Sequence, residues 1–348
     1  MPPKILTYSE AIQTAGNAGR VHALLGNGFS RACRDDIFSY GALFDRADFK
    51  GLSQFSRAAF DALKTTDFEV VIKALKQAAA LVTVYAPKDK KLAETLSADA
   101  DKLREVLVSA IAGSHPNWPG DISPDAYKAC KTFLSHFERV YTLNYDLLLY
   151  WAYMQDEVEP QLECDDGFRR PDSGVAEYVS WEVENSYDQK IYYLHGALHL
   201  FDAGAELQKY TWSNTGVRLI DQIRAALAAS KYPLFVSEGT SASKLERIKH
   251  SGYLHRGLAS LPKVTGSLVA YGMSFAENDE HVIRLVEKGT VTRLFVSLYG
   301  SPTEPGNKAI IARVEKMPAK RAAWAVRHKR TKPLEVFFFD AKSAKVWG

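Results

Sequence analysis

The chain has 348 residues, of which 46% are hydrophobic and 24% charged, and a net charge of +3. That length is enough for one large domain or two modest ones with a real core, and the composition is that of an ordinary globular protein. The charge is too small to argue for nucleic acid, no apolar run reaches the roughly 18 residues of a membrane span, and the start MPPKILTYSEA lacks the apolar core of a signal peptide.

Cys33, Cys130 and Cys164 lie far apart and form no CxxC pair. They exclude a four-cysteine zinc site and argue against a disulfide framework, which fits a reducing cytoplasm.

In chain order, VHALLG (21–26) is apolar almost throughout and reads as a buried parallel strand. GNGFS follows, with a helix starting near Ser30. From 40 to 137 no strand pattern occurs, and this stretch reads as a helical insertion subdomain. Thr66 and Glu69 have capping-box spacing, followed by Phe68, Ile72, Leu75 and Ala79 on one helical face. Leu103, Val106, Leu107, Ala110 and Ile111 repeat at helical spacing before a stop at Gly113. HPNWPG (115–120) is a turn-rich link.

RVYTLN (139–144) is the second strand, with the helix LLLYWAYM after it. The acidic, irregular stretch 155–189, which contains ECDDGFRRPDSG, reads as a long loop. KIYYLHG (190–196), PLFVS (233–237), SLVAYG (267–272), TRLFVSLYG (292–300) and LEVFFF (334–339) complete the strands. The alternation predicts an α/β fold over 1–348: a doubly wound, mainly parallel Rossmann-like sheet whose ligand sits at the carboxyl ends of the strands.

The turns at those ends carry the chemistry. In GNGFS, Gly26 and Gly28 would let a backbone approach a phosphate at a helix N-terminus, or make a tight turn with no ligand. Arg31 stands where the dinucleotide fingerprint has its third glycine. Asn27 and Phe29 would touch the ligand, or Phe29 would pack the helix start on the sheet. Asn144 and Asp146 would hold a ribose hydroxyl or water, or cap the next helix. His195 is a general base or a hydrogen-bonded structural histidine. Gly272 and Ser274 form a second ribose- or phosphate-side turn. Glu277, Asp279 and Glu280 read as a charged first helical turn, and His281 as facing solvent.

The ordered set LLGNGFS, TLNYD, YLHG and GYGMSF, over about residues 20–290, resembles the bacterial sirtuin-like domains of antiphage defence systems. The resemblance implies a site that breaks the nicotinamide–ribose bond of NAD. Asn144 then matches the asparagine beside the nicotinamide ribose, His195 the base, and Asp146 the aspartate at the nicotinamide end. Gly26, Gly28 and Ser30 match the pyrophosphate loop, and Gly272 and Ser274 the ribose-side turn.

Three features depart from the protein deacylases of that family. The four zinc cysteines are missing, RACRDDIF replaces the proline-rich loop, and a large helical insertion is present. The defence branch is expected to hydrolyse NAD outright, as substrate rather than retained cofactor, with no metal. The alternative is a module that binds NAD or ADP-ribose without cleaving it. The chain ends soon after LEVFFFD, so activation is expected from self-assembly or a separate partner such as an ATPase. The basic stretch 313–332, with Trp324, is read as a solvated helix face rather than a nucleic-acid contact.

Overall fold

Apolar runs that are buried on both faces pair as parallel strands, because helices can then cover both sides of the sheet. A computed structural model describes residues 3–171, 177–184, 187–211, 216–237, 239–328 and 332–348. Its strands are β1 (Ile5–Leu6), β2 (Val21–Leu25), β3 (Arg139–Thr142), β4 (Phe168–Arg169), β5 (Tyr178–Trp181), β6 (Ile191–Tyr193), β7 (Leu200–Asp202), β8 (Leu207–Tyr210), β9 (Ser267–Tyr271), β10 (Arg293–Leu298) and β11 (Glu335–Asp340). Seven of them form one sheet in the order β1-β11-β10-β9-β2-β3-β6, every pair parallel. The fold is α/β, doubly wound, as expected.

The order turns back at β2. From there the chain passes to β3 and β6 on one side, while β9, β10 and β11 lie on the other. Such a reversal opens a crevice at the carboxyl ends of the strands. β2 runs alongside β3 from His22 opposite Arg139 to Leu25 opposite Thr142. It runs alongside β9 from Val21 opposite Ser267 to Leu25 opposite Tyr271. All five β9 residues are buried.

Between β2 and β3 the chain is helical from residue 40 to 134, with helices Tyr40–Arg46, Ser56–Leu63, Phe68–Tyr85, Lys90–Ser114 and Pro124–Leu134 and a single 3-10 turn at Pro119–Asp121. Val71, Ile72 and Leu75 of one helix and Leu103, Val106 and Leu107 of the next belong to the same buried apolar cluster as the sheet. The cap of helix Phe68–Tyr85 is Asp67, not Thr66: its carboxylate accepts from the Glu69 backbone N–H at 2.9 Å. Asp67 wins because a carboxylate is the better acceptor at a positive helix end. The long helix ends at Ser114, one residue past Gly113.

Two expectations fail. PLFVS forms no strand of the sheet and makes a single antiparallel bridge, Phe235 to Gly196. Its Leu234 and Val236 are buried by packing across the end of β6, so apolarity there reports burial rather than a ladder. The stretch 155–189 is not only loop. β4 and β5 pair within an antiparallel sheet ordered β4-β5-β8-β7. Strands of two to four residues are too short for alternation to show. Residues 172–176 and 185–186 of that stretch lie outside the described residues, as do 329–331 of the basic segment and Glu238 of SEGTS.

The turns after β2 and β9 meet backbone to backbone. Gly26 N–H donates to the Tyr271 carbonyl and Gly28 N–H to the Gly272 carbonyl, both at 2.9 Å. A Cβ on Gly28 would lie 2.4 Å from the Gly272 Cα, and Gly272 itself has φ +68°. Gly28→Ala and Gly272→Ala are therefore each expected to cost about 2 kcal/mol or more of unfolding free energy, read from urea titrations. Unchanged midpoints would remove this contact from the account.

Candidate functional site

The strand ends surround a cleft of about 850 Å³. Of the residues expected at a site, Gly26, Asn27, Gly28, Asn144, Asp146, His195, Gly272 and Ser274 line it. Phe29 and Ser30 do not; both are fully buried beneath its floor. The Phe29 ring packs at a 57° tilt against Trp347 with centroids 5.3 Å apart, and its backbone carbonyl accepts from the Trp347 indole at 2.9 Å. It packs the helix start, one of the two roles open to it. Asn27 spends its amide on the Phe38 carbonyl at 3.2 Å.

Ser30 joins two of the expected site residues. The Asn144 amide donates to the Gly26 carbonyl at 3.0 Å and to Ser30 Oγ at 2.9 Å. Ser30 Oγ in turn donates to Asp146 Oδ2 at 2.5 Å, and Asp146 Oδ1 accepts from the Leu148 backbone at 2.9 Å. Burial pushes the Asp146 carboxyl above its ordinary range, against the pull of Ser30 and Leu148. With both amide hydrogens committed, Oδ1 is the Asn144 atom left to accept from a ligand. Asp146 thus accepts from the first backbone N–H of the helix Leu148–Tyr153 and, through Ser30, orients Asn144.

His195 follows β6 on a turn that needs glycine next. Gly196 has φ +79°, and a Cβ there would lie 1.9 Å from the Leu234 carbonyl oxygen. The His195 ring is buried and its Nε2 lies 3.0 Å from His281 Nε2. His281 does not face solvent: it is 6% exposed. The helix Glu280–Lys288 is apolar at Val282, Ile283 and Val286, and its first turn is pulled inward with that face. Ser241 holds His281 twice, accepting from its backbone N–H at 2.7 Å and meeting Nδ1 at 3.1 Å. Burial, with Lys244 and His281 adding to it, holds His195 well below the ordinary histidine range. Burial takes His281 down to about 4 although Asp279 opposes. Both rings are neutral at pH 7.

Beside them lies a buried ionic group. Lys244 Nζ pairs with Glu69 Oε2 at 2.7 Å and Asp279 Oδ1 at 3.2 Å. Burial opposes the Lys244 charge, but the two carboxylates outweigh it and raise its pKa, so it stays an ammonium. Glu69 also accepts from the Tyr145 hydroxyl at 3.0 Å and the Asn278 amide at 2.6 Å. Two carboxylates face one ammonium, which leaves this end of the cleft net negative. Arg31, Lys342 and Lys345 line the cleft elsewhere.

His195, Asp279 and His281 have donor atoms within 4.8 Å of one another, a set that suits a metal ion by type. The Lys244 ammonium on the same Asp279 carboxylate competes with any cation there.

Sequence reading missed Glu69, Lys244, Ser241 and Tyr145 as site residues, and misplaced His281. The signal for His281 was present in GMSFAENDEH, directly after a strand. Glu69 and Lys244 carry no such signal, since each is one charge on an ordinary helix. The basic segment is also more inward than expected. Arg321 is buried and donates to the carbonyls of Val286, Glu287, Val291 and Lys332, while Lys320 and Arg313 pair with Glu287 and Glu280.

One family model, described as a domain of unknown function (DUF4917), matches residues 23–347. The chain belongs to this family. No curated protein matches it. The match takes in both glycine turns, the inserted helices and the His195–His281 contact, so every cleft-lining residue except Gly348 lies within the DUF4917 domain. Among the described residues no helix is long and apolar enough to cross a membrane.

Two measurements check these electrostatics. Lys244→Met leaves the buried Glu69 carboxylate and the partly buried Asp279 carboxylate without their counter-charge and is expected to cost about 3 kcal/mol of stability; adding Glu69→Gln should restore part of it. An unaltered denaturation midpoint in Lys244→Met would contradict the charge assignment. His22, His115 and His281 are each lowered to about 4, by burial first. Their unfolded forms take up protons below about pH 6.5 while the folded forms do not. Asp67, raised to about 6 by burial and then by Glu69, and Asp146, raised by burial, act in the opposite direction, two groups against the three histidines. The melting temperature should therefore fall from pH 6.5 toward pH 4. A flat profile would refute the neutral buried histidines.

Proposed function

We propose that this protein hydrolyses NAD to nicotinamide and ADP-ribose, with NAD as a consumed substrate. The observation that carries the reading is one cleft, at the carboxyl ends of parallel strands, lined by both Asn144 and His195. A net negative end beside His195 suits a cationic nicotinamide riboside, and the Arg31, Lys342 and Lys345 lining suits a pyrophosphate.

Nicotinamide bound as a pyridinium leaves as a neutral molecule and needs no general acid. The transition state at the ribose is oxocarbenium-like, as in glycoside hydrolysis. Such a step needs an anchored ribose, an oriented water and a base. Asn144 Oδ1 accepts from a ribose hydroxyl or the water, because Ser30 and Gly26 hold its amide end. Asp146 keeps that arrangement rigid through Ser30. His195, neutral at pH 7, takes the proton of the attacking water.

The resemblance to sirtuin-like defence proteins supports depletion of NAD in infected cells as the biological output. It also supports control by self-assembly or by a separate partner such as an ATPase.

Nicotinamide release, followed by chromatography, is expected from wild-type protein. Asn144→Ala and His195→Ala should each lower it by about 10²-fold or more. Turnover equal in wild type and both variants would overturn the proposal. Binding of NAD without any nicotinamide release would assign the cleft to the alternative, a module that senses NAD or ADP-ribose. Specific activity that rises with protein concentration would support self-assembly, and constant specific activity would count against it.

A further inference from the structure

The reading above gives His195 a task but leaves His281 and Ser241 unused. His281 is buried, lies outside the cleft lining, and touches His195 ring nitrogen to ring nitrogen at 3.0 Å. The two rings are close to parallel, with centroids 5.1 Å apart. Two neutral imidazoles at that distance must share one hydrogen: one Nε2 donates and the other accepts. Which donates is decided at the far end of the chain of bonds. Ser241 Oγ already accepts from the His281 backbone N–H at 2.7 Å and lies 3.1 Å from His281 Nδ1. If Nδ1 donates to Ser241, His281 Nε2 is bare and accepts the Nε2–H of His195. His195 Nδ1 then carries the free lone pair that a base requires.

We propose that His281, held by Ser241, is a positioning residue that fixes this tautomer of His195 and receives its Nε2 proton during NAD hydrolysis, an inference that rests on the function proposed above. The step balances as follows. The water oxygen bonds to the ribose anomeric carbon as the bond to nicotinamide breaks, its electron pair leaving on the ring nitrogen. A water O–H bond breaks and an N–H bond forms at His195 Nδ1. The His195 Nε2–H bond breaks and an N–H bond forms at His281 Nε2. The positive charge thus comes to rest on His281, away from the cationic substrate. Asp279, with a carboxylate oxygen within 4.8 Å of both rings, is the counter-charge. When product leaves, the protons return by the same path and His195 Nδ1 is deprotonated by solvent. Among the described residues, the other charged or titratable groups that face the pair are Lys244, which disfavours charge on either ring, and the Tyr145 ring stacked 6.4 Å from His195.

The arrangement predicts a split between two substitutions. In His281→Gln the side-chain carbonyl still accepts from His195 Nε2 but cannot take the proton. In His281→Ala both roles are lost. With NAD as substrate, His281→Gln should lower kcat by about 10-fold and His281→Ala by about 10²-fold, both with KM within about 2-fold of wild type. Ser241→Ala should resemble His281→Gln.

Nitrogen-15 NMR of the histidine rings, at pH 7 in the presence of a chelator, should show His195 protonated at Nε2 and bare at Nδ1 in wild type. It should show a tautomer mixture in Ser241→Ala. Wild-type His195 protonated at Nδ1, or a His281→Ala protein that is folded by circular dichroism and retains full kcat and pH profile, would overturn the relay. A wild-type protein with no turnover at all would sink the functional reading instead, and the ring tautomer would still decide the pairing.

Discussion

A direct backbone contact between two glycine turns sets the geometry on which the rest of this molecule depends. β2 and β9 are adjacent, and their carboxyl ends meet through Gly26, Gly28 and Gly272 with no side chain between them. Close approach of this kind demands residues without Cβ. It makes part of the cleft floor from main chain. It also directs the next residues downward, so that Phe29 anchors on Trp347 and Ser30 reaches under the floor to Asn144 and Asp146. The glycines of GNGFS are explained by this contact before any ligand is considered, because the Gly28 N–H is already spent on Gly272.

The inserted helices take part in the same site. Glu69 is the second residue of a helix of the insertion, yet it binds Tyr145 from the β3 end, Lys244 from another helix and Asn278 from the turn after β9. Phe68, Leu107 and Ile111 of the insertion line the cleft beside it. A buried charge is tolerable only with partners of fixed geometry. This ionic group therefore ties four segments, distant in sequence, to one position. It leaves that end of the cleft negative while both histidines nearby stay neutral. The Lys244 ammonium adds to burial in disfavouring a positive charge on either ring.

Much of the sheet was legible because central parallel strands are apolar on both faces. VHALLG, SLVAYG and TRLFVSLYG carry a pattern that no surface segment shares. The same rule misread PLFVS, which is apolar because it packs across a strand end. It also passed over β4 and β5, whose two and four residues are too few to show a period. The candidate site was legible where a residue sits in the turn after a strand. Asn144, Asp146, His195, Gly272 and Ser274 were found that way, and all line the cleft.

What the sequence by itself determined is the α/β class, the long helical insertion and the set of strand-end turns that converge on one crevice. These follow from local periodicity and from the rule that parallel strands present their ends on one edge. Only the tertiary structure decided how those turns are wired. Ser30 is a bridge rather than a lining residue, Asp146 is a brace for Asn144, and His281 is a buried partner of His195 rather than a solvent-facing charge. The reason is physical. Direction and burial of a side chain depend on what packs against it from elsewhere in the chain. Glu69 meets Lys244 across 175 residues of sequence, a separation that no local pattern encodes.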